Sequence, residues 1–140
     1  MPDRPPLSHP VLGDLEYDAS FDWYSGSLPG GVRLSVVPGG DATVTTTHLD
    51  RLASDLDGLR DRARQDAAKN LLAPKNETWL GDDEPPLTAD AFQSRLGLEG
   101  VVVQPGGLEI FFDDGDLFWG HTVIVAYDDD GALVEADIAG

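Results

Sequence analysis

The last quarter of the chain, Gly106–Gly140, reads GGLEIFFDDGDLFWGHTVIVAYDDDGALVEADIAG and restricts the fold more than any other stretch. Its apolar runs are parted by two acidic glycine turns, Asp113-Asp114-Gly115-Asp116 and Asp128-Asp129-Asp130-Gly131. Short runs rich in Val, Ile, Phe and Tyr and bounded by Asp-Gly are the pattern of consecutive antiparallel strands. In the middle run Leu117, Trp119, His121, Val123, Val125 and Tyr127 share one parity, against Phe118, Gly120, Thr122, Ile124 and Ala126 on the other. Alternate strand residues face opposite sides. Both faces are therefore mainly apolar, and this strand is expected inside the sheet, covered on both sides, with Trp119 in the core. The third run alternates Ala132, Val134, Ala136 and Ile138 with Leu133, Glu135 and Asp137, as a half-buried strand near an edge does.

Upstream, Val11–Tyr17, Phe21–Ser25 and Val32–Val36 alternate in the same way between turn residues, giving an N-terminal three-stranded meander. The Pro-rich residues 1–10 are expected to form an extended arm with no part in the sheet. Pro38-Gly39-Gly40-Asp41 ends the meander, and 42–46 read equally as a short strand or a linker. Thr47-His48-Leu49-Asp50 has the form of a capping box. Leu49, Leu52, Leu56, Leu59, Ala63, Ala67 and Leu71 then recur every three or four residues, which predicts one long amphipathic helix over about 47–73, stopped by Pro74. A short helix over about 88–97 starts at Thr88, and Val101–Gln104 opens a C-terminal four-stranded meander. The order strands, helices, strands means an α+β fold with a largely antiparallel sheet and the helices packed on it. Residues 11–140 are read as a single domain, the usual size for 140 residues.

No cysteine is present, which removes disulfides, thiolate zinc sites and thiol catalysis. With 26 acidic against 9 basic residues the net charge is −17. Nucleic acid and acidic membrane surfaces are the wrong partners for that sign. No apolar run approaches a membrane span and the N-terminus lacks a signal-peptide pattern, so the expected location is cytoplasmic. The acidity either serves solubility or captures a basic partner.

Candidate chemistry centres on His121, which could act as a general base or cation ligand beside Asp113, Asp114 and Asp116. The favoured alternative is a structural histidine whose ring donates to a backbone carbonyl or carboxylate, because no second catalytic partner is marked. His9 and His48 share no ligand spacing with it. The turn before Gly131 fails as a calcium loop, since positions 126 and 137 are Ala and Asp. No cofactor motif is present and no metal is expected. Three further aromatics are candidate partner-binding residues. Trp23 and Tyr24 are strand neighbours on opposite faces, and Trp79 in a loop either plugs a sheet edge or anchors a partner.

Several short motifs carry a resemblance. They are His9-Pro10-x-Leu12-Gly13-x-Leu15, Asp22-Trp23-Tyr24-x-Gly26, Asn76-x-x-Trp79, Gly115-Asp116-Leu117-Phe118-Trp119-Gly120-His121 and the ending Ala136-Asp137-Ile138-Ala139-Gly140. Together they resemble the bacterial domain-of-unknown-function family 2262 over nearly the whole chain. The likeness implies a small bacterial domain with no assigned activity, and it is also similar to small domains found in toxin–immunity settings. It carries over no catalytic residues.

The leading expectation is a non-enzymatic protein-binding module, immunity-like in its capture of a basic partner. The alternatives are a small enzyme or cation-dependent domain using His121 with Asp113, Asp114 or Asp116, and a structural or oligomerising domain. The oligomeric state is not legible in the residues.

Overall fold

In the computed structural model residues 7–139 are described, and within them eight strands form one open sheet whose order follows the chain. The first six residues of the expected arm, and Gly140, lie outside the described residues. Strands β1 (Leu7–His9), β2 (Gly13–Asp18), β3 (Trp23–Leu28) and β4 (Val32–Val36) form one antiparallel meander. Strands β5 (Gly97–Gln104), β6 (Gly107–Asp113), β7 (Thr122–Asp128) and β8 (Leu133–Ala139) form the other. The two meet where β4 lies parallel to β5, Leu34 beside Val101. Parallel neighbours need a long crossover. Here it consists of helices α1 (Ala42–Ser54), α2 (Leu56–Thr78) and α3 (Ala89–Arg95). The fold is α+β with a mostly antiparallel sheet, as the order of elements implies.

The arm needs correction at its end. Leu7–His9 pair with β2, with Leu7 opposite Leu15 and His9 opposite Gly13. The reason is His9, whose buried ring is used twice. Nδ1 accepts from Val11 N–H at 3.1 Å and Leu12 N–H at 3.2 Å, which leaves the proton on Nε2 to donate to Asp50 at 2.7 Å. One ring thus closes the turn into β2 and ties β1 to α1.

The single long helix is corrected to two. Asp41, not Thr47, caps the first, accepting from Thr43 and Val44 N–H at 2.8 and 3.2 Å. Residues 42–46 are accordingly its first turn rather than strand or linker, and Thr47 sits inside it with its hydroxyl donating to the Thr43 carbonyl. Asp55 breaks the run at φ −146°, ψ 47° and its carboxylate caps α2 at Gly58 N–H. A Cβ on Gly58 would lie 2.5 Å from that carboxylate, so glycine there favours the cap rather than merely weakening the helix. Pro74 does not stop α2, which runs on to Thr78. The final turn is held after it by Trp79 N–H on the Lys75 carbonyl at 3.0 Å and by the Lys75 ammonium on the Trp79 carbonyl at 2.6 Å. Leu56, expected in the core stripe, is only partly buried because it opens α2 just past the break.

The core lies between the helices and one face of the sheet. Paired residues across strands share a face, so Leu34, Val101, Ile110 and Val125 form one buried row, and Val36, Val103, Leu108 and Tyr127 the next. Leu52, Leu59, Ala63, Ala67 and Leu71 cover them from α1 and α2. Gly26 completes the first row without a side chain, since a Cβ there would stand 1.9 Å from Leu15 Cδ2. β7 was expected to be covered on both sides, and this is corrected too. Its alternate residues Thr122, Ile124 and Ala126 are only half-buried, because all three helices belong to the crossover. Nor does the strand reach back to Leu117; it begins at Thr122, and residues 114–121 form a loop.

Candidate functional site

That loop is wound around one carboxylate. Asp114 is fully buried and accepts four backbone hydrogen bonds: from Asp116 at 2.9 Å on Oδ1, and from Phe118, Gly120 and His121 at 2.9, 3.1 and 3.0 Å on Oδ2. A buried carboxylate is costly unless its lone pairs are filled. Here the backbone fills them, and the chain between the donors has little freedom left. Gly115 is required at the turn, at φ +56° with the Arg95 carbonyl 2.4 Å from where a Cβ would stand. The Arg95 guanidinium donates to the Gly115 carbonyl through Nε at 2.9 Å and through Nη2, which anchors the loop to the end of α3.

The winding decides which aromatics go in and which go out. Leu117 and Phe118 point into the core, while Trp119 is 63% exposed. Trp119 was expected in the core, and the correction has a clear cause: it is not on a strand, so its parity is meaningless. Its backbone sits at φ +60° with Gly120 following at +92°. A left-handed conformation on a bulky residue costs on the order of 1–3 kcal/mol and persists only where the surroundings enforce it. The Asp114 bonds on either side do so.

Trp79 supplies the floor. Its ring lies 4.8 Å from Trp119, 5.4 Å from His121 and 5.6 Å from Phe118, centroid to centroid, each at an edge-on angle. Trp79 stands where α2 ends, and two polar devices fix the chain beyond it. The Asn76 side chain clamps Leu87, donating to its carbonyl at 3.1 Å and accepting its N–H at 2.8 Å. The fully buried Lys75 donates to Glu84 at 2.6 Å. That bond, with a second from Gly81 N–H, holds the Glu84 carboxyl below the usual carboxylate range. Residues 79–87 are thereby pinned as a shelf beside the 114–121 loop. Gly81, Asp82, Asp83, Glu84, Arg95, Asp116 and Trp119 line a shallow open cleft between the two. Asp82, Asp83 and Asp116 are exposed, whereas Arg95 and Glu84 are engaged as described.

His121 is half-buried with its Nδ1 against the Phe118 carbonyl and its ring against Trp79. A carbonyl only accepts, so Nδ1 carries a proton there. Asp113, Asp114 and Asp116 are not gathered about it: Asp114 is spent on the backbone, and Asp113 and Asp116 are exposed. Among the described residues no three His, Asp or Glu side chains are placed to hold a metal ion together. Trp23 and Tyr24 are separated as strand neighbours must be. Tyr24 faces the helices and meets Tyr17 at 5.5 Å, while Trp23 faces the open side and stacks on the exposed Phe21 at 5.0 Å. Of the site residues now assembled, Trp119, Asp82 and Asp83 were missed in the sequence. The overlooked signal is Gly120, which interrupts the supposed strand.

Four of the five motifs that carried the resemblance hold fastenings of this architecture: His9 for β1, Gly26 for Leu15, Asn76 and Trp79 for the shelf, and Gly115–His121 for the loop. Among the described residues no helix is long and apolar enough to cross a membrane. Neither the curated proteins nor the solved structures contain a match to the chain. A family model matches residues 9–138, and by it the chain belongs to the DUF2262 family of uncharacterised proteins conserved in bacteria.

Proposed function

We propose that the protein is a non-enzymatic binding module of the bacterial cytoplasm that captures a basic protein partner, in the manner of an immunity protein. The observation that carries this reading is Trp119, an exposed indole held in a strained backbone on a Trp79 floor and bordered by Asp82, Asp83 and Asp116. Indole faces attract guanidinium and ammonium groups, more strongly where water is excluded. Flanking carboxylates add charge-assisted hydrogen bonds for the same cation. An Arg or Lys side chain of the partner is therefore the group this corner suits. The net charge of −17 supplies a long-range field that speeds encounter with a basic protein and repels acidic ones.

The experiment is affinity capture from the native host lysate with wild type and Trp119→Ala in parallel, at low salt and then high salt. A basic protein held by wild type at low salt, released by salt and absent from the variant is the expected result. If wild type and variant retain the same proteins, or none that is basic, the acidity is solubilising only and the reading fails.

A further inference from the structure

Among the described residues the three helices leave one face of the sheet without a covering element, and that face mixes apolar with charged side chains. Two rows of paired residues run across it. One is Arg33, Gly100, Phe111, Ile124, Asp137; the other is Ser35, Val102, Glu109, Ala126, Glu135. The first row carries apolar Phe111 and Ile124 beside the β8 carboxylate of Asp137. The second sets Val102 beside the carboxylate of Glu109 on β6, and Ala126 between it and that of Glu135 on β8. At the centre Gly100 contributes no side chain, and Trp23, Val102, Phe111 and Thr122 stand around the gap as a groove of about 300 Å³. The wall on the β3 side is thickened by exposed Phe21, stacked on Trp23. Glu99 lines the same groove, set there by the irregular register between Leu98 and Gly100.

We propose that this open face docks an amphipathic cationic segment of the basic partner, its apolar side chains in the groove between Trp23 and Phe111 and its Lys or Arg residues against the surrounding carboxylates. The proposal rests on the basic-partner reading and adds to it a second, separate contact surface. Charge decides the occupant. Glu99, Glu109, Glu135 and Asp137 border the apolar strip, while Arg33 is its one basic member. A second copy of the chain would set like charges opposite one another, which costs association energy. A groove shallow enough to lie along strands, and at the lower end of ligand-pocket volumes of about 300–1,000 Å³, suits a few side chains better than an enclosed small molecule.

The test uses two synthetic probes of equal length and helical periodicity, one of leucine and lysine, the other of leucine and glutamate. Binding is followed by backbone amide shifts of the isotope-labelled protein. The Leu–Lys peptide should bind and shift β5, β6 and β7 amides, the Leu–Glu peptide should not, and Phe111→Ser and Ile124→Lys should each weaken binding tenfold or more. Circular dichroism of both variants guards against misfolding, and Glu109→Lys, which alters no apolar contact, should weaken it as well. Trp119→Ala should leave the sheet shifts in place. Loss with Trp119→Ala but not with Phe111→Ser would overturn the sheet-face proposal and leave the corner standing. Failure of both peptides would sink this proposal alone, provided the lysate capture still depends on Trp119. A concentration-dependent dimer dissolved by Ile124→Lys would instead name a second copy as the occupant and overturn the proposal.

Discussion

The aromatic corner and the open sheet face both offer apolar groups beside carboxylates, yet they are built by opposite means. The corner is irregular chain, 79–87 and 114–121, positioned by a handful of polar groups: Asp114, Lys75 with Glu84, and Asn76. The face is regular strand, and its residues are positioned by the ladder that every strand makes with its neighbours. A site held by few strong bonds is lost when one is removed. A site held by many equivalent bonds tolerates single changes in shape and responds only through its own chemistry. The two regions should therefore differ sharply in how mutations divide between stability and binding.

The largest effect should come from Asp114→Ala. It leaves four backbone N–H groups without their buried acceptor, and at about 1–3 kcal/mol each, partly relieved by entering water, the loss should reach about 3–5 kcal/mol. Urea unfolding followed by tryptophan fluorescence would measure it. A wild-type midpoint would mean that the loop does not depend on its carboxylate, and the contrast between the regions would be gone.

Trp79→Ala comes next. Removing the floor beneath Phe118, Trp119 and His121 should cost about 2–4 kcal/mol, at or below the usual range for truncating a buried aromatic because Trp79 is only partly buried. Binding at the corner should fall further than stability does. Chemical denaturation and affinity measured on the same preparation would separate the two losses.

A pH experiment sharpens the comparison without altering side-chain volume. The Glu84 carboxyl is held below 4.5, its ordinary value, by Lys75 first and Gly81 second. With the folded value depressed, the unfolded chain binds the proton more readily, so the contribution of this bond is complete above pH 4.5 and disappears as pH falls through the folded value. Glu84→Gln should be less stable than wild type at neutral pH, and the gap should close on acidification below that point. A gap that stays constant with pH would show that the charge on Glu84 is immaterial to the shelf.

The smallest effect is expected on the open face. Ile124→Ser removes a half-buried side chain from a strand that keeps all its ladder bonds, and should cost about 1 kcal/mol or less. Its mark should instead appear in peptide binding. A loss comparable to that of Asp114→Ala would mean that this face is part of the core and not a surface for a partner.

The strands were readable because their pattern is written into neighbouring residues. Val32–Val36 alternates, Val101–Gln104 and Thr122–Asp128 are short runs rich in β-branched residues, and Asp-Gly and Pro-Gly punctuation set most turns. The helical stripe was equally plain, but its break was not: Asp55 and Gly58 look like solvated helix residues until the carboxylate is seen capping the Gly58 N–H. Pro74 misled in the opposite sense, since α2 tolerates it where buried Lys75 secures the following turn. At the candidate site Trp79 was singled out from its loop position, whereas Trp119 was misplaced by counting strand parity through a loop.

Period and punctuation, then, were enough for the kind and order of elements, because they depend on contacts between residues a few positions apart. The parallel join of β4 to β5, the bare face of the sheet and the fate of each aspartate belong to the tertiary structure alone. Asp113, Asp114 and Asp116 are nearly interchangeable as letters, yet only Asp114 is fully buried, with four N–H groups converging on it. Burial of a charge is decided by how many donors turn towards it. These four, all in the loop that follows Asp114, converge because β6 and β7 fix the ends of that loop and Arg95 of α3 holds its turn at Gly115.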